Sequence, residues 1–346
     1  MIQEDYKIDA FDRIDGVADP RENLTLLGHQ TELDFLADKF ANGTLHHAWL
    51  ISGPQGIGKA TFAFRFAEHL LRTTNDQTPP ERFSFQDDAV HSQVSKGAHP
   101  NIKVLRRPYD QKTKKFKTVI NVEEVRSAVR FFETSRGVDA WRICIVDPAD
   151  DLNTSAANAL LKVLEEPPQN TIFLVLAHSP RGLLPTIRSR CQSLNLKPLN
   201  DATLKKALSN SQILDDKSDD EIEDLIHLSK GSVRRAILLS QSQAVVFYKD
   251  FIKNVEHSSP DMAALYKLAG ALSLASKADE FKLFIELIFD HLSNQLKDPN
   301  TLANKEKLQN IAQVWEDTKT SLQTMQTWNM DKKQTILSLF HAMHSI

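Results

Sequence analysis

The spacing of apolar and polar residues changes part-way along this chain. Up to residue 197, short apolar runs such as those within residues 47–52 and 171–177 are separated by longer amphipathic segments such as residues 59–71. Short continuous apolar runs are typical of strands buried on both faces, and their alternation with helical segments indicates a parallel sheet covered by helices. We therefore predict that residues 1–197 form an α/β domain around a parallel sheet.

Beyond residue 197 the pattern becomes helical throughout. Three short amphipathic segments within residues 198–248 predict a small helical domain. Within residues 249–346 the clearest signal is FKLFIELIFDHL, residues 281–292, whose apolar residues recur at helical spacing and form one stripe. We predict a second, all-helical domain in that part of the chain.

Composition and charge narrow the possible classes of protein. The formal net charge is −3, with 41% apolar and 25% charged residues, which is ordinary for a soluble globular protein and gives no basic field over the whole chain for nucleic acid. The two cysteines, Cys144 and Cys191, argue against a disulfide framework and for a reducing compartment. The N-terminus has no signal-peptide core, and no apolar run approaches the ~18 residues of a membrane helix. We expect a cytoplasmic protein with no membrane partner.

GPQGIGKAT, residues 53–61, follows an apolar strand and precedes a helix, which is the context of a phosphate-binding P-loop. The backbone N–H groups of such a loop converge on phosphates, and the helix N-terminus favours their charge. The residues that fit the loop are Gly53, Gly56, Gly58 and Lys59. The next residue should carry a hydroxyl that binds magnesium, but it is Ala60, and Thr61 lies about 100° further around the helix. The alternative is a chance glycine-rich turn between a strand and a helix.

A strand that ends in an acid follows at RICIVDPADDL, residues 142–152. Asp147 matches the acid of the Walker B pattern, which lies near the magnesium ion of ATPases. An ATPase needs a second acid next, to position or deprotonate the attacking water, but this residue is Pro148, and loss of a general base lowers rates by roughly 10²–10⁴. We expect Asp150 and Asp151 to form the acidic start of the next helix. The two losses together predict a site that can bind nucleotide but does not hydrolyse it efficiently.

Three further stretches carry basic residues that have more than one interpretation. TIRSRCQSL, residues 186–194, and GSVRRA, residues 231–236, place arginines after a turn and at a helix start, where a solvated surface charge is the simplest interpretation. Residues 106–117 contain six basic residues. They are compatible either with a contact to DNA or with a solvated hairpin.

Taken in order, these stretches resemble the clamp-loader branch of the AAA+ ATPase family. The resemblance runs through LLGHQTELDFL, LHHAWLISGPQGIGKAT, GAHPN, DPADDLNTSAANALLKVLEEPP and LLPTIRSRCQSL, and it covers roughly residues 24–240. NALLKVLEEPP and SRC are the most specific of these motifs. The resemblance implies an AAA+ P-loop NTPase-type sheet domain over residues 1–197 and a helical lid over residues 198–248. It also implies an all-α C-terminal collar, for oligomerisation, over residues 249–346.

The resemblance also implies roles for single residues and a set of partners. Arg190 of SRC resembles the arginine finger that enters the ATP site of a neighbouring subunit, and Arg234 resembles the sensor-two arginine. His178 or Ser179 stands near the sensor-one position. By the same resemblance the chain is a clamp-loader subunit in DNA replication. Its implied partners are subunits of gamma/tau and delta types in a heteropentamer and, through that complex, the sliding clamp and primer-template DNA.

Departures from the family refine the expected function. The losses at Ala60 and Pro148 resemble those of a subunit that has given up its own ATPase. Such a subunit is expected to be a rigid member of the ring and to donate Arg190 in trans. Relatives often carry four zinc-binding cysteines before GAHPN, but residues 73–98 contain none, so we expect no zinc, no other metal site and no required cofactor. One alternative is an active ATPase of gamma/tau type, which the same two losses disfavour. Another is a stand-alone nucleotide kinase, which the three-domain order disfavours.

Overall fold

The computed structural model describes residues 11–73, 87–133, 140–328 and 331–346. The chain forms two compact units, Met1–Arg235 and Ala236–Ile346. The finer division at residues 197 and 248 stays a prediction.

A five-stranded parallel sheet forms the centre of the first unit. The strands in chain order are β1 (Ala48–Ser52), β2 (Ile102–Leu105), β3 (Tyr109–Asp110), β4 (Lys115–Phe116), β5 (Arg142–Val146), β6 (Thr171–Ala177) and β7 (Gln192–Asn195). The sheet has the order β2-β5-β6-β1-β7, while β3 and β4 form a separate antiparallel hairpin. Every residue of β1 and β6 is buried, as expected for central strands covered on both faces.

Helices cover both faces of this sheet. The helices that begin in the first unit are α1 (Gln30–Ala41), α2 (Lys59–Arg72), α3 (Ala89–Ser95), α4 (Val122–Glu133), α5 (Thr154–Glu165), α6 (Pro185–Arg188), α7 (Asp201–Asn210), α8 (Asp219–Ser229) and α9 (Val233–Ser240). α1 and α2 contribute Leu33, Phe62 and Phe66 to the core on one face, whereas α4 and α5 contribute Val125 and Leu160 to the core on the other. The predicted α/β class, with a parallel sheet covered by helices, is confirmed.

The order of the strands decides which loops meet. In a parallel sheet the carboxyl ends of all strands lie at one edge, where ligands of α/β proteins bind. At this edge β1 leads into the glycine-rich loop, β5 into Asp147 and β6 into His178. Because β5, β6 and β1 are neighbours, the sheet brings the loop, Asp147 and His178 together.

The described part of the second unit is helical. Its helices are α10 (Ala244–Glu256), α11 (Met262–Leu272), α12 (Ala278–Lys297), α13 (Pro299–Ala303), α14 (Lys305–Trp328) and α15 (Lys332–His344). α12 contains the predicted apolar stripe and contributes Phe284 to the core. The Phe251 ring meets those of Phe284 and Phe340 edge to face at centroid distances of 5.3 and 6.0 Å, an arrangement that aromatic pairs prefer. The predicted helical C-terminal part is confirmed.

Among the described helices, none combines the length and apolarity needed to cross a membrane.

Two short segments beside the sheet have local structure of their own. The polar stretch 73–100 contains α3, whose N-cap residue Asp88 accepts a hydrogen bond from the His91 N–H at 2.8 Å. Residues 74–86 of this stretch lie outside the described residues. Residues 117–121 contain a single bridge, between Ile120 and Leu152. Ile120 is buried, whereas the three residues before it are exposed.

Buried charges join α2 to α3. The Glu68 side chain on α2 is 1% exposed, and its carboxylate lies 2.7 Å from Nη2 of Arg65 and 2.9 Å from Nδ1 of His91 on α3. Arg72 pairs with both Glu68 and Asp88, at 3.3 and 2.7 Å, and its hydrogen bond is the main reason that the pKa of Asp88 falls to about 2. Because α2 begins at the glycine-rich loop, this network fixes the far end of the helix that carries the loop.

Replacing Glu68 by glutamine should lower the free energy of unfolding by about 3–5 kcal/mol, because it leaves the fully buried Arg65 without a compensating charge. Urea unfolding of the full chain measures the change. Glu123→Gln is the matched control, since Glu123 pairs with Arg126 at 4.0 Å on the exposed surface of α4 and should contribute no more than about 0.5 kcal/mol. Equal effects of the two substitutions would contradict a structural role for the buried network.

Candidate functional site

The glycine-rich loop between β1 and α2 is tightly packed. Gly53 and Gly56 have φ values of 150° and 79°, which L side chains rarely adopt. A Cβ on Gly53 would lie 2.4 Å from the carbonyl oxygen of Leu196, and one on Gly56 would lie 2.4 Å from Cβ of Arg234. Gly58 is the N-cap residue of α2. The backbone conformation and the close neighbours therefore require glycine at Gly53 and Gly56.

The loop lysine is folded back onto its own loop. Lys59 is 5% exposed, and its Nζ donates hydrogen bonds to the carbonyl oxygens of Gly53 and Pro54 at 2.7 Å each. Nδ1 of His178 lies 3.1 Å from the same nitrogen and accepts its third proton in the tautomer with Nδ1 unprotonated. Burial lowers the pKa of Lys59 to about 8, although nearby carboxylates oppose this effect. The ammonium group is thus satisfied by the chain itself.

The residues after the lysine offer no hydroxyl at the motif position. Ala60 is partly buried against the core that α1 and α2 form on the sheet. Thr61 is 9% exposed and lies one residue further along α2, about 100° around the helix from the position that binds magnesium in P-loops. At the hydroxyl position the loop therefore presents only a methyl group.

The acid at the end of β5 is paired with an arginine. Arg106 donates hydrogen bonds from Nε and Nη2 to Oδ2 of Asp147, at 3.2 and 2.8 Å. Nη1 of Arg106 lies 3.8 Å from Asp19, and the side chains of Arg106 and Asp147 are 10% and 17% exposed. Burial alone would lower the pKa of Arg106, but Asp147 and Asp19 outweigh it and raise the pKa. The charge of Asp147 is therefore neutralised within the chain.

Asp150 holds the end of β6 rather than the start of a helix. Its carboxylate accepts hydrogen bonds from the backbone N–H groups of His178 and Ser179, at 2.8 and 3.1 Å. Both residues expected near the sensor-one position are therefore tied to the segment that follows β5. Burial and then the neighbouring Lys59 ammonium lower the pKa of His178, which favours its neutral form beside the lysine.

Asp151 likewise binds a residue that is distant in the sequence. It accepts a hydrogen bond from Nε of Arg107 at 2.6 Å, and the guanidinium of Arg107 lies 4.3 Å from the centre of the Phe11 ring. The expectation that Asp150 and Asp151 start the next helix is wrong. Asn153 caps α5 instead, accepting a hydrogen bond from a backbone N–H at 2.8 Å, because the two aspartates lie in a separate 3₁₀ turn.

The basic stretch 106–117 divides into two parts. Arg106 and Arg107 are paired with aspartates inside the first unit. The remaining basic residues lie in or beside the β3–β4 hairpin and are exposed: Lys112, Lys114, Lys115 and Lys117. The stretch therefore forms a hairpin, and its two arginines are engaged by the site rather than presented to DNA.

The segment GSVRRA lies against the glycine-rich loop. The Arg234 N–H donates to the carbonyl oxygen of Gly56 at 3.3 Å, and the Ser232 hydroxyl donates to that of Gln55 at 2.8 Å. The Arg234 guanidinium donates to the backbone carbonyl of Asp12 and lies 3.8 Å from the Asp12 carboxylate. Arg234 is thus next to the loop, and its guanidinium is held by Asp12. Its role as a sensor-two arginine stays a prediction.

Arg190 contacts Glu165 and Thr186 rather than the glycine-rich loop. It stands between α6 and β7 and is 32% exposed. Its guanidinium pairs with Glu165 at the end of α5 and donates to the carbonyl oxygen of Thr186 at 2.9 Å. Arg190 is therefore paired with an acidic residue of its own chain, Glu165. Its action on a neighbouring subunit stays a prediction.

The residues that form ion pairs with the site residues could not be identified from the sequence. These partners are Asp12, Asp19, Arg106 and Glu165. Arg106 is 41 residues from Asp147, and Glu165 is 25 residues from Arg190. No short-range spacing marks such pairs, since only the folded sheet brings them together.

Comparison with known proteins gives a consistent set of relatives. A family profile described as "DNA polymerase III, delta subunit" matches residues 28–200, half of the chain's 346 residues. DNA polymerase III subunit delta′ of Pseudomonas aeruginosa is 33% identical over 222 residues, which are 62% of this chain and 64% of that protein. Subunit delta′ of Escherichia coli is 27% identical over 261 residues, 75% of this chain and 74% of that protein.

Similarity extends to a second type of subunit. DNA polymerase III subunit tau/gamma of Haemophilus influenzae is 26% identical over 244 residues, 68% of this chain and 33% of that protein. The chain thus spans less than two thirds of the length of the Pseudomonas and Haemophilus relatives.

The Lys59 amine should titrate near pH 8, because burial disfavours its charged form. Lysine labelled with ¹³C at Cε reports the titration, and Lys59→Met identifies the resonance. The folded-state pKa of about 8 lies below the ordinary value of 10.5, so the unfolded chain binds more protons between these pH values, and the contribution of Lys59 to stability rises with pH across that window. The stability of wild type relative to Lys59→Met should rise accordingly, whereas titration of Lys59 at its ordinary pKa would contradict its burial.

Proposed function

The chain belongs to the family described as DNA polymerase III, delta subunit, and we propose on this premise that it is a clamp-loader subunit of the delta-prime type. In this role it acts in DNA replication as part of the DNA polymerase III holoenzyme, in a ring of subunits that opens the sliding clamp and places it on primed DNA. The delta′ names of the Pseudomonas and Escherichia relatives support the proposal. The resemblance through GPQGIGKAT, NALLKVLEEPP and SRC supports it as well.

We propose further that the subunit does not hydrolyse ATP by itself. The observation that carries this proposal is the pairing of Asp147 with Arg106, which engages the carboxylate that would hold magnesium. Ala60 lacks the hydroxyl ligand and Pro148 lacks the general base. The residues therefore do not fit a magnesium ion, and no catalytic step is assigned to one.

The proposal also concerns the binding of ATP, of a cofactor and of zinc. The loop keeps its glycines and Lys59, so ATP binding without hydrolysis is compatible with the proposed function. No cofactor is required. The absence of cysteine from residues 73–98 supports a subunit without the zinc site of its relatives.

Arg190 is the residue through which the proposed subunit acts on a neighbour. Its position in SRC supports this role, as does its partial exposure between α6 and β7. A guanidinium presents a planar, permanently charged fork that matches phosphate oxygens. Placed beside the ATP of a gamma/tau-type subunit, it stabilises the charge that develops during phosphoryl transfer. Subunits of gamma/tau and delta types are thus the proposed direct partners, and the complex meets the sliding clamp and primer-template DNA.

An active ATPase of gamma/tau type is the second candidate. The similarity to the Haemophilus tau/gamma subunit favours it, and so does the retained Lys59. The losses at Ala60 and Pro148 and the engagement of Asp147 by Arg106 disfavour it. Turnover by the isolated chain distinguishes the two candidates.

The isolated chain should turn over ATP at no more than about 0.01 s⁻¹, at least about 10²-fold below the ~1–100 s⁻¹ of competent phosphoryl-transfer enzymes. The physical reason is the loss of the hydroxyl and the general base together with the pairing of Asp147. A phosphate-release assay with magnesium in excess measures the rate. Ala60→Thr should not restore turnover, because Arg106 still engages Asp147. Turnover near 1 s⁻¹ that disappears in Lys59→Met would favour the gamma/tau-type candidate.

Arg190→Ala should lower the DNA-stimulated ATPase of a reconstituted loader, by ~10³–10⁵ at the site that the finger serves. Arg190→Lys should restore only part of the rate, since a point charge does not reproduce the planar fork. The measurement is ATP hydrolysis by the complex with primed DNA. Arg188→Ala is the matched control, because Arg188 is exposed on α6 close to Arg190, and it should leave the rate unchanged.

The stability of the isolated chain separates a catalytic role from a structural one. Arg190→Ala breaks a partly exposed pair and should change the free energy of unfolding by no more than about 1 kcal/mol. An unchanged ATPase in the Arg190→Ala complex would remove the proposed role in trans.

A further inference from the structure

The ion pair of Arg190 with Glu165 lies at the surface of the first unit. Glu165 is the last residue of α5, and Arg190 follows α6. Nη2 of Arg190 meets the Glu165 carboxylate, while Nη1 donates to the carbonyl oxygen of Thr186 at 2.9 Å. The two side chains are 32% and 48% exposed, so a molecule that approaches this surface can reach both of them.

The helix that carries Glu165 does not explain the presence of a carboxylate there. The C-terminal end of a helix carries partial negative charge and favours cations, as Lys162 in the last turn of α5 illustrates. Arg190 supplies the compensating positive charge to Glu165. The next residue, Glu166, is exposed and has no side-chain hydrogen bond within the described residues. Of these two adjacent glutamates, Glu165 is therefore the one engaged by Arg190.

Glu165 contacts one of the two terminal nitrogens of the Arg190 guanidinium, Nη2. A guanidinium has five N–H donors. Nε of Arg190 is buried and has no hydrogen-bond partner among the described residues, and Nη1 already donates to Thr186. One N–H group of Nη2 faces the Glu165 carboxylate, so a phosphate oxygen that approaches this nitrogen meets the negative charge of that carboxylate.

We propose that Glu165 is a positioning residue for Arg190. It holds the guanidinium against the end of α5 while no phosphate faces it, and it gives up the guanidinium when the γ-phosphate of a neighbour's ATP arrives. A partly exposed pair of this kind is worth at most about a fivefold factor, so the more highly charged phosphate displaces the carboxylate. This inference rests on the proposed role of Arg190 in trans.

The test is the ATP dependence of hydrolysis by a reconstituted loader that contains the full chain, ATP-hydrolysing gamma/tau-type subunits and primed DNA. Glu165→Gln keeps the shape of the side chain and removes its charge. It should lower the KM for ATP by about two- to fivefold and change kcat by less than about twofold, because only the competition with bound ATP is relieved. Glu166→Gln removes the same charge one residue away and should leave both constants unchanged.

Arg190→Ala, measured in the same assay, separates this inference from the proposed function. If Arg190→Ala leaves the ATPase unchanged, the role of Arg190 in trans fails, and the inference fails with it. If Arg190→Ala abolishes the stimulation, two results would overturn the inference alone: an unchanged KM in Glu165→Gln, whether or not kcat falls, or an equal effect of Glu166→Gln.

Discussion

The ion pair between Arg106 and Asp147 is the interaction on which the character of the site depends. Asp147 lies at the carboxyl edge of the sheet beside the glycine-rich loop, where an unpaired carboxylate would attract a hard cation such as magnesium. Arg106 supplies the positive charge instead, and both side chains are largely buried. Removing either partner would leave the other as an uncompensated buried ion, which is destabilising. The pair therefore engages the same carboxylate that an ATPase would use for catalysis.

Residues 12–21, before α1, contact three of the arginines of the first unit. Asp19 lies 3.8 Å from Arg106, the carbonyl oxygen of Asp12 accepts from Arg234, and that of Arg21 accepts from Arg65 at 2.9 Å. Lys59 is satisfied by its own loop in the same way. The site keeps the shape of a phosphate-binding loop while its charges are matched inside the chain. Arg190 differs, because it lies at the surface with an acidic partner that a phosphate can displace.

The strands, the glycine-rich loop and the helical C-terminal part could be predicted because their signals are local. Residues 171–177 are an unbroken apolar run, and the glycines of the loop sit between a strand and a helix. The prediction for Asp150 and Asp151 is wrong because an acid before a helix is the usual sign of a cap, whereas here each binds a segment distant in the chain. The long-range pairs depend on the strand order, which no spacing in the sequence specifies.

Magnesium dependence of nucleotide binding tests the central claim most directly. The affinity of the isolated chain for a non-hydrolysable ATP analogue can be measured by calorimetry with excess magnesium and with excess chelator, in wild type and in Asp147→Asn. If Arg106 neutralises Asp147, any affinity should be the same with and without magnesium, and Asp147→Asn should not change that ratio. Binding that tightens tenfold or more with magnesium in wild type, and loses this gain in Asp147→Asn, would contradict the account.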